Sequence, residues 1–407
     1  MGGGNIVSVQ RAVDVDRRCV ELARELVPMA RQHAAFAEEH GRLHDDVVSA
    51  FQSSGLYSVN VPDQYGGTSP SPRAQCEAII ELSRGDASAG WCFMVSSGFN
   101  WQAGRDFPDA VLEKAFGDVT RHITGSFMPA FFAQPVDGGF TVSGESRFNS
   151  NVYRSGYKFV LAIVNDGRSV KLEDGEIPTL RAMLVPGEHC EVVSNWDVLG
   201  LRGTGSNNVK LSNVFVPEGN AVDIVHEVNK RPHEIASPIY RLPYIPWTGF
   251  HTAAVLIGIA EEAVEAFVRH TTSKIMLTNK LQSQSAFPAT RSSIADVATR
   301  VRGAKAHLLF TADECWAICN EGREFTSSEQ AHMQMAAYET SRVSADAVIE
   351  IFRVCGGTAI YKTMPLEKML RDVLTANQHL SVSTHRSHAA ISRRLLGLSL
   401  EKNQPFD

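Results

Sequence analysis

The sequence contains no apolar run long enough to cross a lipid bilayer. Its longest run, residues 253–260, covers about two turns of helix, whereas a membrane-spanning helix needs about 20 apolar residues. Residues 1–9 are rich in glycine and have neither the basic stretch nor the apolar stretch of a secretion signal. These absences argue against a membrane partner and against export, so we expect a cytoplasmic protein.

The chain also lacks a cysteine pattern that would indicate disulfides or zinc. Its seven cysteines are an odd number, they are scattered, and no two of them form a CxxC pair. Reduced thiols packed in a core show this pattern, and no metal centre is expected. The net charge of −6 and the isoelectric point near 6.2 argue against nucleic acid or an anionic membrane as a partner.

The glycine-rich signatures of nucleotide-binding loops are missing as well. No GxGxxG follows a predicted strand, because Gly200, Gly203 and Gly205 have a different spacing and lie in a β-rich region. No GxxxxGK[ST] occurs either. The sequence therefore offers no nicotinamide or nucleoside-triphosphate pocket of the usual kind, and any reducing equivalents must come from outside the protein.

Three regions of different periodicity follow one another and predict an α+β fold. Apolar residues recur at helical spacing in the first region, alternate in a β-rich region from about residue 122 to 217, and return to helical spacing afterwards. Helices are predicted in the last region over 253–270, 293–320 and 327–354, with Gly356 and Gly357 closing the third. We predict an N-terminal helical domain over 1–120, a β domain over 121–228 and a C-terminal helical bundle over 229–407.

Three segments carry a resemblance to a known family. Residues 144–151 are similar to the motif GxKxW[IV][TS]N, residues 200–206 to GxRGTxS, and residues 356–372 to GGxG…P[VL]EKxxRD. In this combination and order, the chain resembles the acyl-CoA dehydrogenase superfamily. The resemblance implies an N-terminal helical domain, a middle β-barrel-like domain, a C-terminal four-helix bundle and a flavin cofactor.

The resemblance gives individual residues a place around the flavin. In the first motif an aromatic ring packs on the flavin and a hydroxyl bonds its N5 atom, and Phe148 and Ser150 stand at those positions. Residues 124–129 are similar to a GSxxP segment that follows the first strand of the β domain. Thr124 and Ser126 are therefore candidate flavin contacts, and Ser126 is a candidate catalytic or substrate contact, with a turn hydroxyl as the alternative.

The glycine turn near the C-terminus is a second candidate cofactor contact. Free N–H groups at a glycine-rich turn before a helix bind phosphate, and Gly356, Gly357 and Thr358 offer such groups. In the family this turn often serves the cofactor of a neighbouring subunit. The resemblance therefore implies an oligomer, and we expect a homotetramer.

The carboxylate that a dehydrogenase of this family needs is missing. Such an enzyme abstracts an α-proton with a glutamate that must lie within hydrogen-bond reach of the carbon. The family supplies it after the RD stretch, where ungapped counting lands on Leu380, or on the helix before a GIA turn, near Thr248. Residues 373–382 and 235–260 contain no Asp or Glu, so both positions are vacant.

A histidine stands beside the first vacant position. Residues 371–379 resemble the RDxxxAxxH of the flavin-dependent monooxygenase branch, which includes the oxygenase component of p-hydroxyphenylacetate hydroxylase and 3-hydroxy-secosteroid hydroxylase. In the aromatic hydroxylases of that branch the histidine lies over the flavin edge. We predict that His379 holds or donates the proton that oxygen activation requires, since imidazole titrates near neutral pH. A surface or helix-capping histidine is the alternative.

The substrate side is defined less sharply. Several phenol hydroxylases of the branch carry a histidine near the position of Asn100. An amide cannot act as a base, so Asn100 is predicted to orient a hydroxyl or carbonyl at the catalytic site. Trp91, Trp101 and Phe127 are predicted to wall an apolar substrate cavity, with core packing as the alternative.

We therefore predict a two-component flavin-dependent monooxygenase. The protein would be the oxygenase component, taking reduced FMN or FAD from a separate NAD(P)H:flavin reductase and using O₂ to hydroxylate an aromatic or polycyclic apolar molecule. One alternative is an acyl-CoA dehydrogenase whose base is Glu234 or Glu261. A scaffold that no longer binds flavin is the other alternative.

Overall fold

The computed structural model describes residues 3–118, 122–165, 179–223, 237–276 and 282–398, with side chains described from residue 12 onward. Glu234, an alternative base, lies outside these residues. The helices are α1 Gly3–His40, α2 Asp45–Ser54, α3 Pro72–Gly85, α4 Ala87–Asp106, α5 Asp109–Ala115, α6 Tyr244–Ser273, α7 Pro288–Glu321, α8 Ser327–Cys355, α9 Pro365–Ala376 and α10 Thr384–Leu395. The strands are β1 Ile123–Val136, β2 Gly139–Asn149, β3 Tyr157–Val164, β4 Leu180–Pro186, β5 Glu191–Val193, β6 Asn207–Pro217, β7 Ala221–Asp223, β8 Ile275–Met276 and β9 Gln282–Ser283.

Helices, a sheet and further helices follow one another along the chain, which confirms the predicted α+β fold class. The strands β1 to β7 form one mixed sheet in the order β5-β6-β2-β1-β3-β4-β7. The short strands β8 and β9 pair separately, between the helices of the C-terminal region. The domain limits 1–120, 121–228 and 229–407 stay a prediction.

The first strand of the sheet is longer than the sequence pattern indicated. It pairs with β2 across a hairpin turn at Asp137 and Gly138, as an Asp-Gly pair predicts, and it runs parallel to β3. Because β1 begins at Ile123, residues 124–129 lie inside this strand rather than after it. They coincide with a shift of register between Gly125 and Pro129, where proline has no N–H for the ladder.

Helix α4 is buried along almost its whole length between the other helices and the sheet. The Asp86 carboxylate starts the helix by accepting a hydrogen bond from the N–H of Ala89 at 3.0 Å. Helices α3 and α6 pack on α4 from one direction and β1 packs on it from another. A helix without a continuous polar face needs such cover, and α4 therefore sits where the helical core meets the sheet.

Helix α6 begins nine residues earlier than the apolar pattern predicted. Proline fits its first turn, because the N–H groups at a helix start have no partner within the helix, and Pro246 lies there. Helix α8 ends at Cys355 with Gly356 as its C-cap at a φ of 67°, as predicted. Helices α6, α7 and α8 pack on one another, and α9 and α10 pack on this group.

Helices from both ends of the sequence share one hydrophobic core. Ile79 of α3, Leu256 of α6 and Val348 of α8 belong to the same buried cluster. All seven cysteines are free, and six of them are buried. Within the described ranges, no helix combines the length and apolar character needed to cross a membrane.

Candidate active site

A stripe of partly exposed residues interrupts the burial of α4. Val95 and Gly98 are partly exposed, whereas most residues around them on the same helix are buried. Phe127 of β1, Thr248 of α6 and His379, which follows α9, are partly exposed as well. Because α4 packs on both β1 and α6, we infer that these residues border a common space between the three elements. We call this space the inner chamber.

His379 lies at one end of the inner chamber, beside α4 and α6. Its Nδ1 accepts a hydrogen bond from the N–H of Ser381 at 3.4 Å and lies 2.7 Å from the Ser381 hydroxyl. The Thr252 hydroxyl lies 3.4 Å from the same nitrogen, and the Trp91 ring meets the imidazole edge-on at 5.6 Å. The imidazole of His379 therefore caps the turn that follows it, which agrees with the helix-capping alternative. Only Nδ1 takes part in this cap.

The proton of the neutral His379 ring lies on its other nitrogen. Because Nδ1 accepts the Ser381 N–H, the neutral tautomer carries its hydrogen on Nε2 and can donate it to a ligand. Desolvation lowers the pKa of His379 to about 4. The imidazole is therefore neutral at physiological pH and acts as a hydrogen-bond donor through Nε2.

Ser150 belongs to the same site as His379 through the indole of Trp91. The Trp91 Nε1–H donates to Ser150 Oγ at 3.0 Å, and Ser150 Oγ lies 2.7 Å from Ser206 Oγ. Ser206 Oγ in turn lies 2.7 Å from Thr204 Oγ1, whose hydroxyl donates to the carbonyl of Leu201 at 2.8 Å. Three hydroxyl groups thus form one buried chain that ends at a backbone carbonyl.

The direction of this chain follows from its two ends. A carbonyl only accepts, so the Thr204 hydrogen is used at Leu201 and Ser206 must donate to Thr204. The Ser150 hydrogen is then used at Ser206, while its oxygen accepts the Trp91 N–H. Ser150 keeps one free lone pair, and it can therefore only accept a hydrogen bond from a ligand.

A buried ion network holds together the segments that carry these residues. Lys368 of α9 lies 2.8 Å from Asp86, which caps α4, and 2.6 Å from Asp372. The second oxygen of Asp372 accepts the N–H of Leu201 at 2.7 Å. The two carboxylates are thus paired with one ammonium group, and α4, α9 and the turn that contains Thr204 are fixed relative to one another.

The end of β2 presents an aromatic ring close to Ser150, which begins the following loop. Phe148 has a φ of 64°, is 57% exposed and meets the ring of Trp196 edge-on at 6.2 Å. Asn151 has a φ of 56°, and its amide donates to the hydroxyls of Tyr57 and Ser96 at 3.0 and 3.1 Å. Left-handed φ values are unfavourable for residues other than glycine and concentrate at functional sites. The anchored Asn151 explains how the loop keeps this conformation.

The residues at this site fit an isoalloxazine ring. Such a ring needs flat apolar contact on a face and polar partners at its N5 edge. The exposed Phe148 ring offers the first, and the free lone pair of Ser150 and the Nε2–H of His379 offer the second.

Neither vacant base position is filled by a carboxylate in the described part of the chain. Leu380 is 44% exposed, and the Thr248 hydroxyl donates to the carbonyl of Ile245. Glu261 pairs both of its oxygens with Lys305 at 2.9 Å. It also follows Thr252 by nine residues, roughly 14 Å along α6.

Asn100 and Trp101 do not present free polar groups to the inner chamber. The Asn100 amide donates to the carbonyls of Tyr57 and Val59, and its oxygen accepts the N–H of Ile123. The indole N–H of Trp101 donates to the carbonyl of Ile239, and the ring is 1% exposed. This geometry corrects the substrate role that we predicted for both residues: Asn100 joins α4 to β1, and Trp101 packs in the core.

Phe127 is partly exposed among aromatic rings, and the two β1 hydroxyls have local partners. The Phe127 ring contacts the rings of Phe99 and Tyr244 at 5.0 and 4.7 Å, and its place in a cavity wall stays a prediction. Ser126 accepts the N–H of Met128 at 3.3 Å. The Thr124 hydroxyl is fully buried and donates to the Ser155 hydroxyl at 3.0 Å.

The glycine turn after α8 lies far from His379 within one chain. Gly249 of α6, close to Thr252, packs against Ala337 of α8, and Gly356 is 19 residues further along. That separation is roughly 28 Å of helix. The turn is exposed and Lys274 Nζ lies 3.7 Å from the position that a Gly356 Cβ would take. The Gly356 N–H itself donates to the carbonyl of Arg353, and the nearby Lys274 cation is the group that suits a phosphate.

Sequence reasoning missed the groups that orient the site. Thr204 and Ser206 stand inside the GxRGTxS-like segment, so the motif contained the signal. That Ser206 accepts from Ser150, and Thr204 from Ser206, depends on the fold. Thr252 and Ser381 hold the His379 ring, and no sequence pattern indicated them.

Comparisons with known proteins agree with this geometry. The family description "Acyl-CoA dehydrogenase, N-terminal domain" matches residues 17–106, and "Acyl-CoA dehydrogenase, C-terminal domain" matches residues 250–384. Together the two matches cover more than half of the chain.

Individual relatives and a solved structure resemble the chain over most of its length. An indole-3-acetate monooxygenase of Acinetobacter baumannii is 27% identical over 336 residues, 82% of each chain. The flavin-dependent monooxygenase oxygenase subunit HsaA of Mycobacterium tuberculosis is 25% identical over 362 residues, 88% of this chain and 90% of HsaA. The structure of XiaF from Streptomyces sp., in complex with FADH2 and glycerol, superposes with a TM-score of 0.88 at 24% identity, covering 96% of this chain and 98% of XiaF.

Proposed function

The chain belongs to the acyl-CoA dehydrogenase family, and we propose that it acts there as the oxygenase component of a two-component flavin-dependent monooxygenase. The observation that carries this proposal is that His379 is present at the site while both positions for a carboxylate base are vacant. A neutral imidazole with a free Nε2–H lies beside the position where a dehydrogenase needs a carboxylate, and the candidate Glu261 is held by Lys305 roughly 14 Å away. Of two relatives that are 25% and 27% identical to this chain, one is named as the oxygenase subunit of a flavin-dependent monooxygenase and the other as a monooxygenase.

Reduced flavin supplies the electrons that activate O₂ when it is bound. In our proposal Phe148 covers the apolar ring and Ser150 accepts a hydrogen bond at the N5 edge. The polarity of the hydroxyl chain supports the reduced form, because N5 carries a hydrogen only in reduced flavin and Ser150 can only accept. Oxidised flavin would place two acceptors against each other.

His379 would donate a hydrogen bond at the oxygen-activation site. Its Nε2–H would point to the reacting oxygen, while Ser381 and Thr252 keep Nδ1 facing away. Trp91 shields the edge of the ring from water and orients Ser150 at the same time. One indole thus couples the hydrogen-bond donor to the flavin contact.

The substrate is an aromatic or otherwise apolar small molecule. The inner chamber has an aromatic end formed by Phe99, Phe127 and Tyr244, which suits stacking against a flat ring. The name of one relative, an indole-3-acetate monooxygenase, supports this class.

Two partners complete the proposal. A separate flavin reductase supplies reduced FMN or FAD, in keeping with the absence of a nicotinamide-binding motif. A homotetramer lets the glycine turn of one chain meet the phosphate at the site of another. Exposed apolar side chains beside and near that turn, Ile360 and Tyr361, support such an interface.

Flavin binding and anaerobic mixing test the proposal together. Equilibrium titration should give tighter binding of reduced than of oxidised flavin, and Ser206→Ala should narrow that difference because it releases the Ser150 hydrogen. Reduced flavin, O₂ and an aromatic panel should then yield a hydroxylated product. Bleaching of bound oxidised flavin by acyl-CoA without O₂ would instead establish the dehydrogenase alternative.

A further inference from the structure

A second histidine lies beside the inner chamber and takes no part in the hydrogen bonding of His379. His251 lies on α6, and Tyr244, Thr248 and His251 occupy positions i, i+4 and i+7, which share one helix face. Thr248 and Tyr244 are partly exposed, and Tyr244 packs on Phe127. The next residue, Thr252, contacts both His379 and Ser381. His251 is therefore close to both ends of the chamber.

The imidazole of His251 lacks the partners that a buried polar ring normally has. The residue is 2% exposed, and its Nε2 is buried without a hydrogen-bond partner among the described residues. The neighbouring indole of Trp247, whose ring lies 4.2 Å away, has an unpartnered Nε1 as well. Because Nε2 is enclosed, a ligand would have to reach the other ring nitrogen, Nδ1.

A glycine leaves room in front of this imidazole. A Cβ added at Gly98 of α4 would meet only His251 Nδ1, at 3.8 Å. The other glycines of α4 are crowded: a Cβ would come within 2.0 Å of Ser83 at Gly90 and within 2.9 Å of Pro62 at Gly104. Gly98 is also partly exposed. Unfilled space therefore remains between Gly98 of α4 and the His251 ring, and His251 Nδ1 borders this opening.

We propose that His251 anchors the substrate by a hydrogen bond to an O–H or N–H group on its aromatic ring. This inference rests on the proposed function and narrows its substrate class to phenol-like and indole-like rings. Asn100 cannot take this part, because its amide is engaged with backbone groups. Burial lowers the pKa of His251 to about 3, so the ring is neutral and pairs with a neutral donor rather than with a carboxylate.

Matched ligand pairs test the proposal without any flavin. Binding of indole and 1-methylindole, and of phenol and anisole, would be measured by calorimetry on the full chain. We expect the wild type to prefer the N–H or O–H member of each pair by about 5- to 10-fold, the worth of one hydrogen bond. His251→Phe should remove this preference and leave the affinity for the methylated member within about twofold.

Two further variants guard against a folding defect. His251→Asn keeps a hydrogen-bonding side chain and should retain part of the preference. Gly98→Ala should weaken both members of each pair equally, because it narrows the opening without removing the imidazole. Equal affinities within the wild-type pairs, an unchanged preference in His251→Phe, or no binding of any member at millimolar concentration would each overturn the proposal.

The two proposals fail in distinguishable ways. A ligand preference that depends on His251, in a protein that does not oxygenate with reduced flavin and O₂, would leave the anchor intact and refute the monooxygenase. Oxygenation with equal use of N–H and N-methyl substrates would refute the anchor alone.

Discussion

Replacing His379 removes the Nε2–H, the hydrogen-bond donor that the proposal places at the reacting oxygen. In His379→Ala this donor is lost, while Ser381 and Thr252 can still bond each other at 3.1 Å, so the surrounding turn keeps a partner. Removing one hydrogen-bond donor aimed at developing charge costs about 10²- to 10³-fold in rate. We therefore expect product formation to fall by at least about 100-fold, with flavin binding changed much less.

The assay distinguishes the loss of the His379 hydrogen bond from a change in flavin oxidation. Reduced flavin is mixed with the protein and O₂ in a stopped-flow instrument, and both the hydroxylated product and released H₂O₂ are measured. In His379→Ala we expect the flavin to be reoxidised with H₂O₂ in place of product. His379→Asn retains an N–H donor and should recover part of the coupling.

A control variant lies six residues further along. His385 is exposed, so His385→Ala should form as much hydroxylated product per flavin oxidised as the wild type does. Unchanged product yield in His379→Ala, or an equal loss of product in His385→Ala, would refute the assignment of His379 as the hydrogen-bond donor at the reacting oxygen.

Three further predictions follow from other parts of the structure. Ser150→Ala leaves the Trp91 N–H without its acceptor and should weaken binding of reduced flavin by about 5- to 10-fold, measured by titration. Lys368→Met leaves Asp86 and Asp372 buried without a cation and should lower the free energy of unfolding by about 3–5 kcal/mol in urea denaturation, whereas an unchanged midpoint would contradict the network. Burial lowers the pKa of His122 and His251 to about 3, so the unfolded chain binds more protons between about pH 6.5 and 3, and stability should fall as the pH drops through that window. Both contributions are fully present above pH 6.5, and His251→Phe should flatten the decline.

The sequence predicted the parts of the site that lie close together along the chain. Phe148 and Ser150 are two residues apart in one motif, and His379 follows a helix whose RD stretch is recognisable, so local pattern was enough to name them as candidates. Their proximity in space depends on Trp91, which the sequence marked only as a possible cavity wall. The structure shows that this indole connects the two motifs.

The residues that the sequence misplaced have partners that are distant along the chain. Asn100 bonds Tyr57 and Val59, 43 and 41 residues away, and Trp101 bonds Ile239, 138 residues away. The sequence of a buried helix does not distinguish a polar or aromatic side chain that bonds the backbone from one that contacts a ligand. Only tertiary contacts separate these two uses, and for His251 the missing partner became visible only once the fold was known.

Incorporation of labelled oxygen tests the central claim most directly. The protein, chemically reduced flavin and ¹⁸O₂ are incubated with an indole-like or phenol-like substrate, and the product is analysed by mass spectrometry. The account predicts one ¹⁸O atom in the product and none when the label is supplied as water. A product that carries oxygen from water, or flavin reduction by an acyl-CoA in the absence of O₂, would contradict it.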